Sequence, residues 1–291
     1  MMTRNVKVGV WCLAMVLALP VTGCGDEQEN HKVARTALRA GYRCFGLPPT
    51  IYVHHGRVVG GAQDGQSYAG RLSGTSGPDV VVGTNGRDFV SNIDADDVVC
   101  VRGGDDVVEG NRGGRVRLGA GDDRYLGQGT VWAGTGNDSL NIRGSHNRVY
   151  GGGGDDTIVV GPLEGIDNLV WAGSGNDHVT SSDADVTTWL GAGDDVFLGD
   201  SRGEHIVRGG PGDDIIRTDN AVAWGGGGND EMTAAAGGVE FYGGNGDDVL
   251  SGGALPDQLD GGRGFDTADG KGGDDVCIRV ENAVSCETIL R

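Results

Sequence analysis

Lysine is nearly missing from this chain: 3 residues of 291, against 33 aspartates and 9 glutamates. Basic side chains total 23 and acids 42, so the formal charge is −19. That balance argues against nucleic acid as a partner, because phosphate recognition needs a basic face. Aromatics make up only 5%, too few for an ordinary globular core of this length. Good helix formers give way to 58 glycines and the many aspartates; both types are poor in helices, which argues against an α-helical protein. Enzyme signatures are missing as well. There is no H-E-x-x-H, no G-x-S-x-G and no G-K-S/T phosphate loop. His54, His55, His146, His178 and His205 share no pattern and read as surface histidines. No enzymatic activity is expected. High charge with few large apolar groups ordinarily signals disorder, but the arrangement of these residues overturns that reading.

The N-terminus reads as an export segment. Arg4 and Lys7 form a basic start, and Val8–Val21 is apolar but shorter than the ~20 residues of a spanning helix. It ends in Val21-Thr22-Gly23-Cys24, small residues before a Cys as in a bacterial lipobox. We expect residues 1–23 to be a lipoprotein signal peptide and Cys24 the lipidated residue, anchoring the protein to a membrane by its acyl chains. Removing residues 1–23 takes away two basic groups and no acid, which leaves −21. Of 6 Cys, Cys44, Cys100, Cys277 and Cys286 then remain. In an exported chain an even count suggests two disulfides, with three pairings open. The closeness of Cys277 and Cys286 favours that pair, with Cys44 joined to Cys100.

What the chain has in abundance is a repeat. A Gly-x-Gly-x-Asp core recurs nine times: Gly119-Ala-Gly121-Asp-Asp123, Gly134-Thr-Gly136-Asn-Asp138, Gly152-Gly-Gly154-Asp-Asp156, Gly173-Ser-Gly175-Asn-Asp177, Gly191-Ala-Gly193-Asp-Asp195, Gly210-Pro-Gly212-Asp-Asp214, Gly226-Gly-Gly228-Asn-Asp230, Gly244-Asn-Gly246-Asp-Asp248 and Gly262-Arg-Gly264-Phe-Asp266. Asp88 and Asp106 continue the register upstream. From Asp88 to Asp266 is 178 residues in ten intervals, a mean of 17.8, or two nonapeptides per repeat. Two residues after each Asp stands an apolar group: Val90, Val108, Tyr125, Leu140, Ile158, Val179, Phe197, Ile216, Met232, Leu250 and Ala268. Nine residues further runs a second column: Val116, Val131, Val149, Val170, Thr188, Val207, Ala223, Phe241 and Leu259. Strand alternation turns each column inward. The expected fold is therefore all-β, a parallel β-roll or β-solenoid of ~18-residue coils stacked ~4.8 Å apart.

These motifs resemble the RTX, or haemolysin-type, calcium-binding repeat G-G-x-G-x-D-x-U-x. The resemblance covers residues 73–276 and implies a β-roll with Ca²⁺ held between successive turns on one side. The chemistry stands on its own as well. Ca²⁺ takes 6–8 oxygens at about 2.3–2.6 Å; a Gly-rich turn exposes carbonyls, and Asp adds a short carboxylate. Spacing between motif aspartates varies, from 15 (Asp123 to Asp138) to 21 (Asp156 to Asp177), and every change falls opposite the motif. Asp79 and Asp97, then Asp257 and Asp275, put the motif on the other edge at the two ends only, with Ala95 and Leu255 replacing Gly in two of these turns. Up to about ten Ca²⁺ would balance the charge, at the ~10⁻⁴–10⁻³ M affinity of extracellular calcium modules.

The residue after the second column runs Arg117, Trp132, Tyr150, Trp171, Trp189, Arg208, Trp224, Tyr242 and Asp260, an outward column that stiffens a sheet with a thin core. As a second reading, Trp132, Tyr150, Trp171, Trp189, Arg208, Trp224 and Tyr242 offer a flat ligand face for a surface glycan, as in a carbohydrate-binding or carbohydrate-modifying module. The expected organisation is a signal peptide (1–23), a tether and N-terminal cap (24–72) with a helix at His31–Arg43 and a hairpin at Thr50–Gly60, the roll (73–275) and a C-terminal cap (276–291). The expected role is calcium binding that folds an exported, lipid-anchored rod of structural or adhesive function at the bacterial surface.

Overall fold

A computed structural model describes residues 42–110, 113–161, 167–182, 185–200 and 203–290. The signal segment, Cys24 and most of the expected helix at His31–Arg43 lie outside them; Tyr42 and Arg43 are not helical. The chain winds into a parallel β-solenoid of about 11 coils. Each coil gives one short strand to a 15-stranded sheet and one to a 13-stranded sheet. Arg115–Ala120, Thr130–Thr135 and Arg148–Gly153 are neighbours in the first. Arg124–Gly127, Ser139–Ile142 and Thr157–Val160 are neighbours in the second. The only helix among the described residues is a single 3-10 turn, Gly61–Gln63.

Register follows the repeat. Val131 lies between Val116 and Val149, and Leu140 between Tyr125 and Ile158. Both inward columns are buried along their whole length. A third set, not marked by the periodicity above, joins them: Leu118, Ala133, Ala172 and Leu190 follow two residues after the second column and are also buried. Each coil thus adds only three or four apolar side chains, and its neighbours above and below complete their burial.

The ends differ from the middle. Ile51–His54 and Arg57–Val59 form the expected hairpin, antiparallel, and its first strand joins the large sheet beside Val80–Val82. All other pairings among the described strands are parallel. Cys44 is bonded to Cys100, with Cα atoms 5.6 Å apart, so the N-terminal segment is tied to the strand Val98–Gly103. Cys277 is bonded to Cys286. Residues after 275 extend both sheets, with Val276–Ile278 and Thr288–Leu290 in one and Asn282–Val284 in the other.

One expectation is corrected. His205 is not a surface residue but 1% exposed, its ring edge-on to Phe197 at 5.5 Å. It opens the strand His205–Pro211, opposite Val186 and Ala221, where the alternation points inward. Burial lowers its pKa, since the charged form is disfavoured away from water.

Close stacking demands glycine in the turns. At Gly134, φ is +123°, and a Cβ would overlap the Gly119 carbonyl of the coil before. Gly227 sits in a comparable turn with open space around it. Gly134→Ala is expected to cost at least ~2 kcal/mol of stability from backbone strain and overlap, whereas Gly227→Ala stays within ~0.5 kcal/mol of the parent. Chemical denaturation of both variants in saturating Ca²⁺, followed by circular dichroism, checks this contrast.

Candidate metal centre

Each Gly-x-Gly turn carries two left-handed glycines, for example Gly119 and Gly121 (both φ 128°) or Gly226 and Gly228 (φ 126° and 130°). Turns of successive coils are joined by backbone bonds such as Gly121 N–H to Thr135 O and Gly136 N–H to Gly153 O, each 2.8 Å. The stack brings every motif Asp from Asp88 to Asp266 into one buried row, each at most 2% exposed.

The row is a ladder. The backbone N–H of each Asp donates to Oδ1 of the Asp one coil later: Asp106 to Asp123, Asp123 to Asp138 and Asp138 to Asp156, all at 2.8 Å. It persists at 2.8 Å across 21 residues from Asp156 to Asp177 and across 16 from Asp214 to Asp230. Unequal spacing is absorbed elsewhere in the coil, as the placing of the length changes implied. Only one carboxylate oxygen is used in this way. Oδ2 of Asp106, Asp123, Asp138, Asp156, Asp177, Asp195, Asp214, Asp230, Asp248 and Asp266 is buried with no hydrogen-bond partner among the described residues. Asp88 differs, since its Oδ2 accepts from the Thr84 N–H at 2.6 Å and the Thr84 hydroxyl at 3.2 Å.

Ten carboxylates in a row, stripped of water and lacking a counter-charge, resist ionisation. Burial, and then the charges of neighbouring acids, push Asp106 and Asp214 up to about 8. Asp138, Asp177 and Asp230 rise to about 7, and Asp123, Asp156, Asp195 and Asp248 to about 6. The ladder hydrogen bond works against the rise in every case but does not cancel it.

The surroundings suit a hard cation. No three Asp, Glu, His or Cys side chains converge on one point among the described residues, so donors other than carboxylates must be backbone oxygens. At Gly243 a Cβ would collide with Asp248 Oδ2 and approach the Gly261 carbonyl to 2.6 Å. At Gly225 it would meet Asp230 Oδ2 and, at 2.7 Å, the Gly243 carbonyl. Carboxylate and carbonyl oxygens therefore face the same bare spot, a donor set that fits Ca²⁺. Leu118, Ala133, Ala172 and Leu190 occupy the equivalent place in other coils, yet the carboxylates there keep an orphan oxygen too.

Sequence reasoning passed over the residue just before each motif Asp. Here Asp or Asn builds a second, exposed ladder running the opposite way. Asn137 N–H donates to Asp122 Oδ1 (2.8 Å), Asp155 N–H to Asn137 Oδ1 (2.9 Å) and Asn176 N–H to Asp155 Oδ1 (2.8 Å). Its signal was visible as Asp or Asn in eight of the nine motifs, with Phe265 the exception.

The opposite edge is finished differently. Both oxygens of Asp79, Asp97 and Asp257 find hydrogen-bond donors. Between these ends, neutral Asn147 and Asn168 are fully buried and bonded to each other, side chain to side chain at 2.9 Å. A lysine supplies charge at one point: Lys271 holds the Ala234 carbonyl at 3.3 Å, and against the upward push of burial three backbone N–H groups, then the Lys271 charge, lower the Asp219 pKa.

The aromatic column is half-buried and stacked face to face. Trp132–Tyr150, Tyr150–Trp171 and Trp171–Trp189 lie 5.4, 4.7 and 4.8 Å apart within 6° of parallel. Arg208 fills the break, 5.7 Å from Trp189 and 4.6 Å from Trp224, which stacks on Tyr242. A sugar binds aromatic side chains by lying on a ring face, and these faces are covered by neighbouring rings. The arrangement favours the structural reading over the glycan face.

Two outcomes are expected. The row aspartates have folded-state pKa values above their unfolded value of 3.8, so the folded chain holds more protons. Without metal, stability must fall as pH rises from 3.8 toward about 8. Thermal melts in EDTA should lose midpoint steadily as pH rises from about 5 and show no transition by about pH 7.5, while melts in millimolar Ca²⁺ should keep theirs, because the ion needs ionised carboxylates. For the column, Trp171→Ala removes two ring stacks and should cost about 2–3 kcal/mol in chemical denaturation, with Trp171→Phe recovering at least half.

A model of the RTX calcium-binding nonapeptide repeat (4 copies) matches residues 64–92, 125–158, 171–201, 224–259 and 252–278, just over half of the chain. No curated protein and no solved structure matches it. Stacked Gly-Asp turns, a parallel β-roll and the matched nonapeptides agree, and the chain belongs to the family of RTX, or haemolysin-type, calcium-binding repeat proteins.

Proposed function

We propose that this chain is a calcium-folded scaffold, in which the motif edge from Asp106 to Asp266 holds a file of Ca²⁺ ions and the roll serves a structural or adhesive role outside the cytoplasm. The observation that carries the reading is the row of ten buried carboxylates, each with one oxygen left over. Bound Ca²⁺ would supply the positive charge and the oxygen-seeking coordination that this row lacks. The protein's own part is positional. The turn glycines Gly119 and Gly121, and their counterparts through Gly262 and Gly264, let coils approach closely enough for carbonyls of one turn to serve the next. The Asp ladder holds every carboxylate at one height in its coil. The thin apolar interior cannot by itself offset the repulsion of so many like charges.

Export fits this dependence. In a cytosol poor in Ca²⁺ the chain would stay extended and transportable, and outside it would fold on meeting the ion. The lipobox-like Val21-Thr22-Gly23-Cys24 supports anchoring through Cys24. Both disulfides suit an oxidising compartment.

Chelated protein near pH 7.5 is expected to show a largely disordered far-UV spectrum, and millimolar Ca²⁺ to restore the β signal, with Mg²⁺ unable to replace it. Calorimetry should count about ten ions on the motif edge. A β signal unchanged by EDTA rejects the proposal.

A further inference from the structure

The last coil lacks the Gly-x-Gly-x-Asp pattern, and the repeat match stops at residue 278. The motif Asp ladder nevertheless continues into it, as does the opposite-edge row in which Asp257 N–H donates to Asp275 Oδ1 at 2.9 Å. Asp266 N–H donates to Glu281 Oε2 at 2.8 Å, where an Asp of the next coil would otherwise accept. On the opposite edge Asp275 N–H donates to Glu287 Oε2, also at 2.8 Å. The two glutamates arise from one short pattern used twice. Arg279 (φ 47°) and Ser285 (φ 54°) are left-handed, and Glu281 and Glu287 each follow two residues later.

The cradle seen along the motif edge is repeated at both places. A Cβ at Gly261 would lie 2.5 Å from Asp266 Oδ2 and 2.6 Å from the Arg279 carbonyl. One at Gly270 would collide with Asp275 Oδ2 and with the Ser285 carbonyl. Asp266 and Asp275 are 0% exposed, and Oδ2 of each is without a hydrogen-bond partner among the described residues. Each therefore aims an unused carboxylate oxygen at a spot that a carbonyl of the last coil also faces, with a second carboxylate alongside.

We propose that the terminal coil completes two calcium sites from residues outside the repeat: Asp266 with Glu281 and the Arg279 carbonyl on one edge, and Asp275 with Glu287 and the Ser285 carbonyl on the other. This rests on the proposed calcium reading and extends it to ligands that the Gly-Asp motif does not contain. A carboxylate pair plus carbonyl oxygens is a hard-cation set. Glu in place of Asp adds one methylene, which lets a turn without glycine reach the ladder position. The Cys277–Cys286 bond closes the segment that carries Arg279 and Ser285, holding both carbonyls in one coil.

The test is ion counting by equilibrium dialysis with radioactive Ca²⁺ on the oxidised full chain, with folding followed by circular dichroism. Glu281→Gln and Glu287→Gln keep an oxygen for the ladder bond and remove the charge. Each is expected to lose one ion, and the double variant two, while the β spectrum in saturating Ca²⁺ stays that of the parent. Glu281→Asp keeps the charge but lacks the methylene that reaches the ladder, so it should bind that ion more weakly than the parent. Parent stoichiometry in the double variant overturns the proposal. A parent that holds no ions overturns it together with the calcium reading beneath it, whereas a parent holding its motif-edge ions unchanged by these variants removes the terminal sites alone.

Discussion

A carboxylate taken out of water must have its oxygens satisfied or give up its charge. Everything on the motif edge follows from that constraint. From Asp106 to Asp266 the backbone satisfies one oxygen of each Asp through the N–H one coil earlier, and it has no further donor for the other. The remaining oxygen is left facing carbonyls, which repel it as much as they would attract a cation. Only a positive ion turns this arrangement from a penalty into a bond, and a divalent oxygen-seeker meets the requirement with least rearrangement. The glycines serve the same end, since a side chain on the turn would hold neighbouring coils apart.

Before its last coil, the opposite edge shows what the chain does when no ion is called for. Thr75 donates its N–H and hydroxyl to Asp79, Asn147 and Asn168 form a neutral ladder, and Lys271 sits near Asp219. Neutral donors tolerate variation in the loop around them, because no shared ion fixes the distance between coils. This accounts for coils of 15 to 21 residues between successive motif aspartates in a rod whose motif edge never loses register.

The aromatic column follows from the same spacing. Parallel strands place equivalent residues about 4.8 Å apart, and flat rings on adjacent strands can then lie face to face. Trp171 against Trp189 does so at 4.8 Å. In a molecule whose interior holds only a few apolar groups per coil, an outer stack of this kind adds stiffness that the core cannot supply.

Sequence alone determined the coil. The period, the two inward columns and the Gly-Asp turns were legible because a solenoid repeats one local solution, so alternation tells in from out at Tyr125 or Phe197 without knowledge of the rest. The closeness of Cys277 and Cys286 in sequence favours that pair and leaves Cys44 to Cys100, and both bonds fit that coil. What tertiary structure decided was which atom meets which across coils. That Thr84 satisfies Asp88 while Asp106 keeps an orphan oxygen depends on the turn beside each one. The burial of His205, the covered ring faces of the tryptophans and the arrival of Glu281 and Glu287 at the ladder ends likewise depend on neighbours a full coil away. Periodicity places a side chain on a face, but the partners of its oxygens and rings come from the coil stacked against it, and those contacts exist only once the stack has formed.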